Sequence, residues 1–224
     1  MKYAIIDLGT NTCNLLIAET KATGYSILHQ SKELVKLGDN QISNNALSDA
    51  AMQRAVNVLR LQREISESNR AEKIIVIATS AVRDAVNKSI FRKLIKRETG
   101  LELKIISGEK EADLIFKGVL LALNTLDTPA MILDIGGGSN EIIISKSKTM
   151  LWKESRPAGM ARVINKFALS DPICDKEIRQ LSQFFKAAHA KSIDFSKKEK
   201  VTTLIGCSGA FDTIADIIDQ ANPG

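Results

Sequence analysis

Short apolar runs ending in polar, glycine-containing turns alternate along this chain with stretches of helical periodicity. Ile5-Ile6 leads into Asp7-Leu8-Gly9-Thr10-Asn11-Thr12, and Leu15-Leu16-Ile17-Ala18 reads as the returning strand of a hairpin. Gly24 marks a second turn, with an extended stretch from Tyr25 to Leu37. Apolar Met52, Ala55, Val56, Leu59 and Ile65 recur at helical spacing between Ser48 and Arg70, with Ser48 as the N-cap. The wholly apolar run Ile74 to Ala78 predicts a strand covered on both faces. A helix over 85–99 stopped at Gly100, a strand over 103–106 and a helix over 110–123 follow, and the turn-forming residues 125–129 predict the joint between two halves.

The second half opens as the first does. It has a strand from Ala130 to Asp134, the turn Gly136-Gly137-Gly138-Ser139, a strand from Glu141 to Ser145 and another over 149–154. Helices over 159–168 and 176–190, a strand over 201–205 and a helix over 210–218 complete it. At an offset of 127 residues, Ile5 to Thr12 aligns with Ile132 to Ser139, and Asp7 and Gly9 fall on Asp134 and Gly136. Two strand-turn-strand copies, each opening a mixed α/β segment, predict two related lobes facing one cleft, over 1–126 and 127–224.

The composition of the 224 residues changes this picture little. A hydrophobic share of 44% and a charged share of 25% suit a folded chain rather than a disordered one. Aromatics at 4% leave little for stacking single-stranded nucleic acid, and a net charge of +5 spread over both halves tolerates an anionic ligand without demanding DNA. Cys13, Cys174 and Cys207 are far apart, with no C-x-x-C pair, so a disulfide framework or zinc site is not indicated and a reducing compartment is expected. Asp7 arrives too early for a signal-peptide core, and no apolar run approaches the roughly eighteen residues of a membrane span. A cytoplasmic protein with no membrane partner is expected.

The turns carry the candidate chemistry. Glycine lets backbone N–H groups crowd around an anion because no Cβ obstructs the approach and positive φ is accessible. Gly136, Gly137, Gly138 and Ser139 are therefore a candidate phosphate cradle, and Asp134 at its mouth suits a hard cation such as Mg²⁺. Asp7 with Thr10, Asn11 and Thr12 offers a second anion-binding turn. No G-x-x-x-x-G-K-[ST] occurs, Glu141 stands where a dinucleotide fingerprint needs its third glycine, and Gly206-Cys207-Ser208-Gly209 lacks G-x-S-x-G spacing. With His29 and His189 the only histidines, a Ser-His-Asp triad or multi-His zinc site is nearly excluded. Arg83, beyond the strand ending at Ala78, suits a phosphate clamp or a surface ion pair with Asp84. Glu109 and Glu111 suit either catalysis or the dipole of a helix N-terminus. Lys88, Arg92, Lys93, Lys96 and Arg97 read as a solvated face before a polyanion track.

Ile6 to Thr12, Ala78-Thr79-Ser80-Ala81-Val82-Arg83-Asp84, Ile106-Ser107-Gly108-Glu109-Lys110-Glu111-Ala112 and Asp134 to Glu141 together resemble the exopolyphosphatase and guanosine pentaphosphate phosphohydrolase (Ppx/GppA) family, within the actin, Hsp70 and sugar-kinase superfamily. Gly159 with Arg162, and Gly206 to Gly209, fit weaker family positions. The resemblance implies an actin-like (ribonuclease H-like) two-lobed α/β fold that hydrolyses a terminal phosphoanhydride in the interlobe cleft. It implies Glu111 as catalytic base and Glu141 as a second essential acid orienting water or metal. Mg²⁺ would lie at Asp134 with Glu141 and Asp7, and Thr10, Asn11, Thr12, Arg83 and Gly136 to Ser139 would bind phosphates.

Three departures from the family pattern stand out. Lys36-Leu37-Gly38-Asp39-Asn40 replaces an Arg-Leu-Gly-Glu-Gly-like stretch, Lys110 replaces an acid beside Glu111, and family members continue past position 224 with elements expected to finish the second lobe. Inorganic polyphosphate is the expected substrate and guanosine pentaphosphate the runner-up, with a homodimer conceivable for a longer chain. An ATP-using kinase or ATPase of the same superfamily, or a silent binder of polyphosphate or alarmone, stands as the competing class.

Overall fold

A period-two alternation of apolar and polar side chains builds the first sheet. The computed structural model describes residues 1–38, 45–123 and 126–221. In β1 (Lys2–Leu8), Ala4, Ile6 and Leu8 are buried while Ile5 and Asp7 are exposed. β1 pairs antiparallel with β2 (Thr12–Thr20), which pairs antiparallel with β3 (Tyr25–Leu34). On its other side β1 runs parallel to β4 (Lys73–Ala78), and β4 to β5 (Leu103–Ile105), giving the order β3-β2-β1-β4-β5.

Helices α1 (Asp49–Ser68), α2 (Ser80–Asp84) and α3 (Lys88–Thr99) belong to this unit, and Leu59, Phe91 and Ile95 join Ile6, Leu8, Leu15 and Ile17 in its core. Ser48 Oγ accepts the Ala51 N–H (3.2 Å), capping α1 as expected, and Gly100 in the left-handed region (φ 69°) ends α3. Cys13 is a core thiol that donates to Gln62 Oε1 (3.1 Å), and burial pushes it up to about 12.

Two expectations are corrected in this unit. The helix expected over 85–99 starts only at Lys88, and a separate short helix, α2, precedes it, because Asn87 exchanges two hydrogen bonds of 2.9 Å with the Leu47 backbone and holds the chain out of helical register. β4 is not covered on both faces: Val76 and Ala78 are buried, but Ile75 and Ile77 stay half-buried.

The second unit begins earlier than the expected boundary at 126/127, for the compact units are 1–107 and 108–224. The reason is α4 (Gly108–Ala122), whose Ala112, Phe116 and Val119 share a core with Ala130, Ile132 and Ile143. Those last three lie on β6 (Ala130–Ile135) and β7 (Asn140–Lys146). With β8 (Thr149–Arg156) and β9 (Thr203–Cys207) they form a sheet of order β8-β7-β6-β9, in which only the β6–β9 pairing is parallel.

Helices α5 (Met160–Phe167), α6 (Asp175–Ala188) and α7 (Ala190–Lys198) lie between β8 and β9 in sequence, and α8 (Gly209–Ala221) follows. The sequence pattern misses α7, which is held from outside: Trp152 of β8 donates to Ser192 Oγ (3.0 Å) and stacks on Phe195. This sheet has four strands where the first has five, and Leu204, Ile217 and Ile218 on β9 and α8 are more than half exposed.

Hairpin register repeats with the motif. Asp7 lies opposite Asn14 and Asp134 opposite Glu141, so the offset of 127 that relates the two aspartates also relates their cross-strand partners. On α3, Lys96 pairs with Glu102 (2.8 Å) and Arg97 with Glu98 (2.9 Å), as a solvated face does. Among the described residues no helix is long and apolar enough to cross a membrane.

Glu177 makes one local device of this fold measurable. Its carboxylate accepts the Cys174 N–H (2.9 Å), the Ser170 N–H (2.9 Å) and the Ser170 hydroxyl (2.6 Å) at the start of α6. These bonds hold it down at about 2, below its ordinary 4.5. A depressed carboxyl adds stability above its unfolded value and loses it as pH falls toward the folded one. Glu177→Gln is therefore expected to melt below the parent at neutral pH, with the difference closing as the pH drops below about 4.5, as followed by circular dichroism.

Candidate phosphate-binding site

The start of α5 decides how the glycine turn of the second unit is oriented. A helix leaves its first backbone N–H groups without partners of its own. Here those of Met160 and Ala161 donate to Gly136 O (3.0 Å) and Gly137 O (2.9 Å), while Arg162 places its backbone N–H on Gly137 O (3.3 Å) and its Nε on Gly138 O (3.0 Å). Across a trans peptide the carbonyl and the next N–H point in opposite directions. The N–H groups of Gly137 and Gly138 are thus turned away from α5, and that of Ser139 away from the Arg162 contact. None of the three has a hydrogen-bond partner among the described residues. Successive N–H groups left without partners at a turn are an arrangement that can receive an anion.

Glycine serves this turn by its size. The left-handed glycines among the described residues are Gly24 and Gly100, so Gly136 to Gly138 do not use the positive φ expected of them. A Cβ on Gly159 would stand 2.5 Å from Ser139 N and 2.6 Å from Gly136 O, so only glycine lets α5 dock this closely. Gly136 N donates to Ser139 O (3.0 Å) and closes the turn.

Below the turn, Asp134 and Glu141 are cross-strand neighbours, and Cys207 flanks Asp134 from β9. Burial raises the Asp134 carboxyl, against the hydrogen bond it receives from Ser208. The single proton of the Ser208 hydroxyl is shared with Ile135 O (2.9 Å). Burial and Asp134 together push the Cys207 thiol up to about 11, leaving it protonated. Glu141 is buried and accepts the Ser155 hydroxyl at 2.6 Å. Sequence reading missed Ser155, although the hairpin register that places Asp134 opposite Glu141 also places Ser155 opposite Glu141 on β8.

Among the described residues no group of three or more His, Cys, Asp or Glu forms a metal cage. One or two carboxylates beside a phosphate cradle are nevertheless the usual protein share of a Mg²⁺ site, the rest being phosphate oxygens and water. Asp134, a carboxylate disfavoured by burial, fits that role.

Glu111 sits in the first turn of α4 and is half-buried. Beside the cradle, a cavity of about 550 Å³ is lined by Arg156, Arg162, Lys166 and Lys191 together with Val163 and Phe184. Arg162 belongs to both features.

In the first unit the turn repeats the same bonds. Gly9 N donates to Thr12 O (2.9 Å), as Gly136 does to Ser139. Thr10 O accepts Gly38 N (3.2 Å), and Asn11 O accepts Val35 N (2.9 Å) and Lys36 N (3.0 Å), so the Asn11 N–H is turned the other way. Lys36, in the left-handed region (φ 45°), serves the turn through its backbone, and Arg54 donates to its carbonyl (3.0 Å). Asp39 and Asn40 lie outside the described residues. Asp7 is exposed, unlike its counterpart Asp134. Arg83 is four-fifths buried, with Nη1 on Ile106 O at the end of β5 (3.4 Å) and Nε 3.7 Å from Asp84.

The chain is similar to several proteins of known type. A bifunctional 3-dehydroquinate synthase/phosphatase of Fusobacterium nucleatum is 34% identical over 97% of this chain and 34% of its own length. A guanosine-5'-triphosphate,3'-diphosphate pyrophosphatase of Pseudoalteromonas translucida is 30% identical over 96% of this chain and 42% of its own. The chain thus spans less than half of either relative. The crystal structure of an exopolyphosphatase from Cytophaga hutchinsonii superposes on all of this chain and 72% of its own, with a TM-score of 0.95 at 34% identity. The fold is thereby actin-like, as the motifs imply. Since the model of the Ppx/GppA phosphatase family matches residues 16–223, from the second strand of the first hairpin to the end of α8, this chain belongs to that family.

Proposed function

We propose that this chain carries the phosphoanhydride-hydrolysing machinery of an exopolyphosphatase, which releases orthophosphate from the end of inorganic polyphosphate. The observation that carries the reading is the second unit's turn, whose carbonyls are occupied by α5 and whose three N–H groups are left for an anion. Phosphoryl transfer needs positioning and neutralisation of charge more than covalent help.

In this reading Gly137, Gly138 and Ser139 hold phosphate oxygens through backbone donors, as does the turn of Thr10, Asn11 and Thr12. Arg83 adds a fork-shaped cation. Glu111 takes a proton from the attacking water as its oxygen bonds to the terminal phosphorus and the bridging P–O bond breaks. The leaving group is the shortened chain. Glu141, fixed by Ser155, orients water or metal. Mg²⁺ would be held by Asp134 with Glu141 as a further carboxylate, and when bound it neutralises charge on phosphate oxygens. The four cations of the neighbouring cavity suit the rest of a polyanion. Free Cys13, Cys174 and Cys207 suit the cytoplasm.

Guanosine pentaphosphate is the second reading. The relative from Pseudoalteromonas translucida supports it, and so do Val163 and Phe184 in the cavity, since an apolar wall serves a nucleoside and does nothing for an inorganic chain.

Three measurements test this function on the full chain, each following orthophosphate release from tripolyphosphate and guanosine pentaphosphate side by side. Glu111→Gln is expected to lose about 10² to 10⁴ in kcat, as removal of a general base does, with substrate still bound; near-normal turnover would remove Glu111 from the mechanism. Chelation should abolish release and added Mg²⁺ restore it, and indifference to the chelator would remove the metal role of Asp134. Arg83→Ala should raise KM or lower kcat by about tenfold, the worth of a charged hydrogen bond. Arg83→Lys should recover only part, because the fork is lost. Equal kinetics in all three proteins would mean that Arg83 plays no part in holding the substrate.

A further inference from the structure

We propose that Lys153 is a positioning residue for Glu111. The inference rests on the reading of Glu111 as catalytic base, and it concerns what aims that carboxylate. α4 lies on the second sheet through the apolar stripe of Ala112, Phe116 and Val119. Apolar contact is non-directional, so such a stripe fixes the distance of a helix from a sheet better than its roll about its own axis.

Directional contacts come from β8. Lys153 Nζ donates to Asp113 Oδ1 (2.7 Å) and to the Glu109 carbonyl (3.4 Å). At about 100° per residue, Glu109 and Asp113 are one turn apart on one flank of the stripe, and Glu111, two residues from each, emerges on the other. A pin on one flank sets the angle at which the opposite flank presents its side chain. Released from the pin, α4 rolls on its stripe and Glu111 swings with it.

The pin and the other acid share a strand. Lys153 and Ser155 are two apart on β8 and so project from one face. Ser155 holds Glu141 and Lys153 holds α4, which refers both acids to a single rigid element. The Lys153 hydrogen bond also keeps the Asp113 carboxyl below its ordinary value, with Lys110 and Lys117 adding to it.

The test compares Lys153→Met, Lys153→Arg, Asp113→Asn and the Lys153→Met/Asp113→Asn double variant with the parent and with Glu111→Gln. Steady-state kinetics on tripolyphosphate give kcat and KM, and thermal melts report folding. Expected is a fall in kcat of about tenfold or more for Lys153→Met, the scale of a misaimed catalytic group. KM should stay within about twofold, Lys153→Arg should recover most of the rate, and the double variant should be no slower than the slower single one. A lowered melting temperature with unchanged kcat, while Glu111→Gln is inactive, would make the pair an ordinary surface ion pair and overturn the inference alone. Near-normal turnover of Glu111→Gln would overturn the reading of the base and the inference with it. Should Lys153→Met fail to fold, Asp113→Asn and Lys153→Arg decide: normal kcat in Asp113→Asn overturns the inference, and a kcat loss in Asp113→Asn with near-parent kcat in Lys153→Arg supports it.

Discussion

Much of the second unit depends on where one run of carbonyl groups points. Gly136, Gly137 and Gly138 present their oxygens to donors at the start of α5, which satisfies helix N–H groups that would otherwise need another partner. Peptide planarity then leaves no choice about the opposite side of the turn. Gly159 must be glycine for the approach, and Arg162 must reach back to the third carbonyl. The N–H groups proposed for a phosphate are a by-product of how a helix is capped.

The duplicated turn shows what is general in this device and what is particular. Both copies close with a glycine N–H on the carbonyl three residues later, and both turn their middle carbonyls toward a later segment of their own unit. In the first unit that segment is a loop with a left-handed Lys36, in the second a helix. The aspartates differ more. Asp7 is exposed opposite an amide, whereas Asp134 is shielded opposite a second acid that Ser155 fixes. One repeated geometry thus carries two electrostatic environments, and the second concentrates the carboxylates.

The sequence announces the hairpins, the turns and the capping of α1, because these rest on local periodicity and on residues with special backbone behaviour. The repeat at 127 residues even extends to strand register, which alternation alone fixes once the turn is set. What stays illegible is decided by distant partners. The break between α2 and α3 depends on Leu47 meeting Asn87, and α7 depends on Trp152. The allegiance of α4 to the second sheet depends on Phe116 and Val119 finding Ile132 and Ile143 rather than on anything within the helix. At the site, Asp134, Glu141 and the glycines are visible as motif, while Lys153 and Ser155 are ordinary strand residues whose role exists only through the register of β8.

A cradle made of main-chain amides has an odd mutational profile. Short of proline, no side-chain substitution deletes the N–H of Gly137 or Gly138, so alanine scanning reports on the supports, at Gly159 and Arg162, and on the room a Cβ takes at the turn, but never on the loss of a donor. Replacing the Gly137 or Gly138 amide by an ester through chemical synthesis removes one donor while preserving every side chain. Selection acting on this turn is in the same position as the scan: it sees the scaffold, and holds the ligand-binding atoms constant only by holding their surroundings.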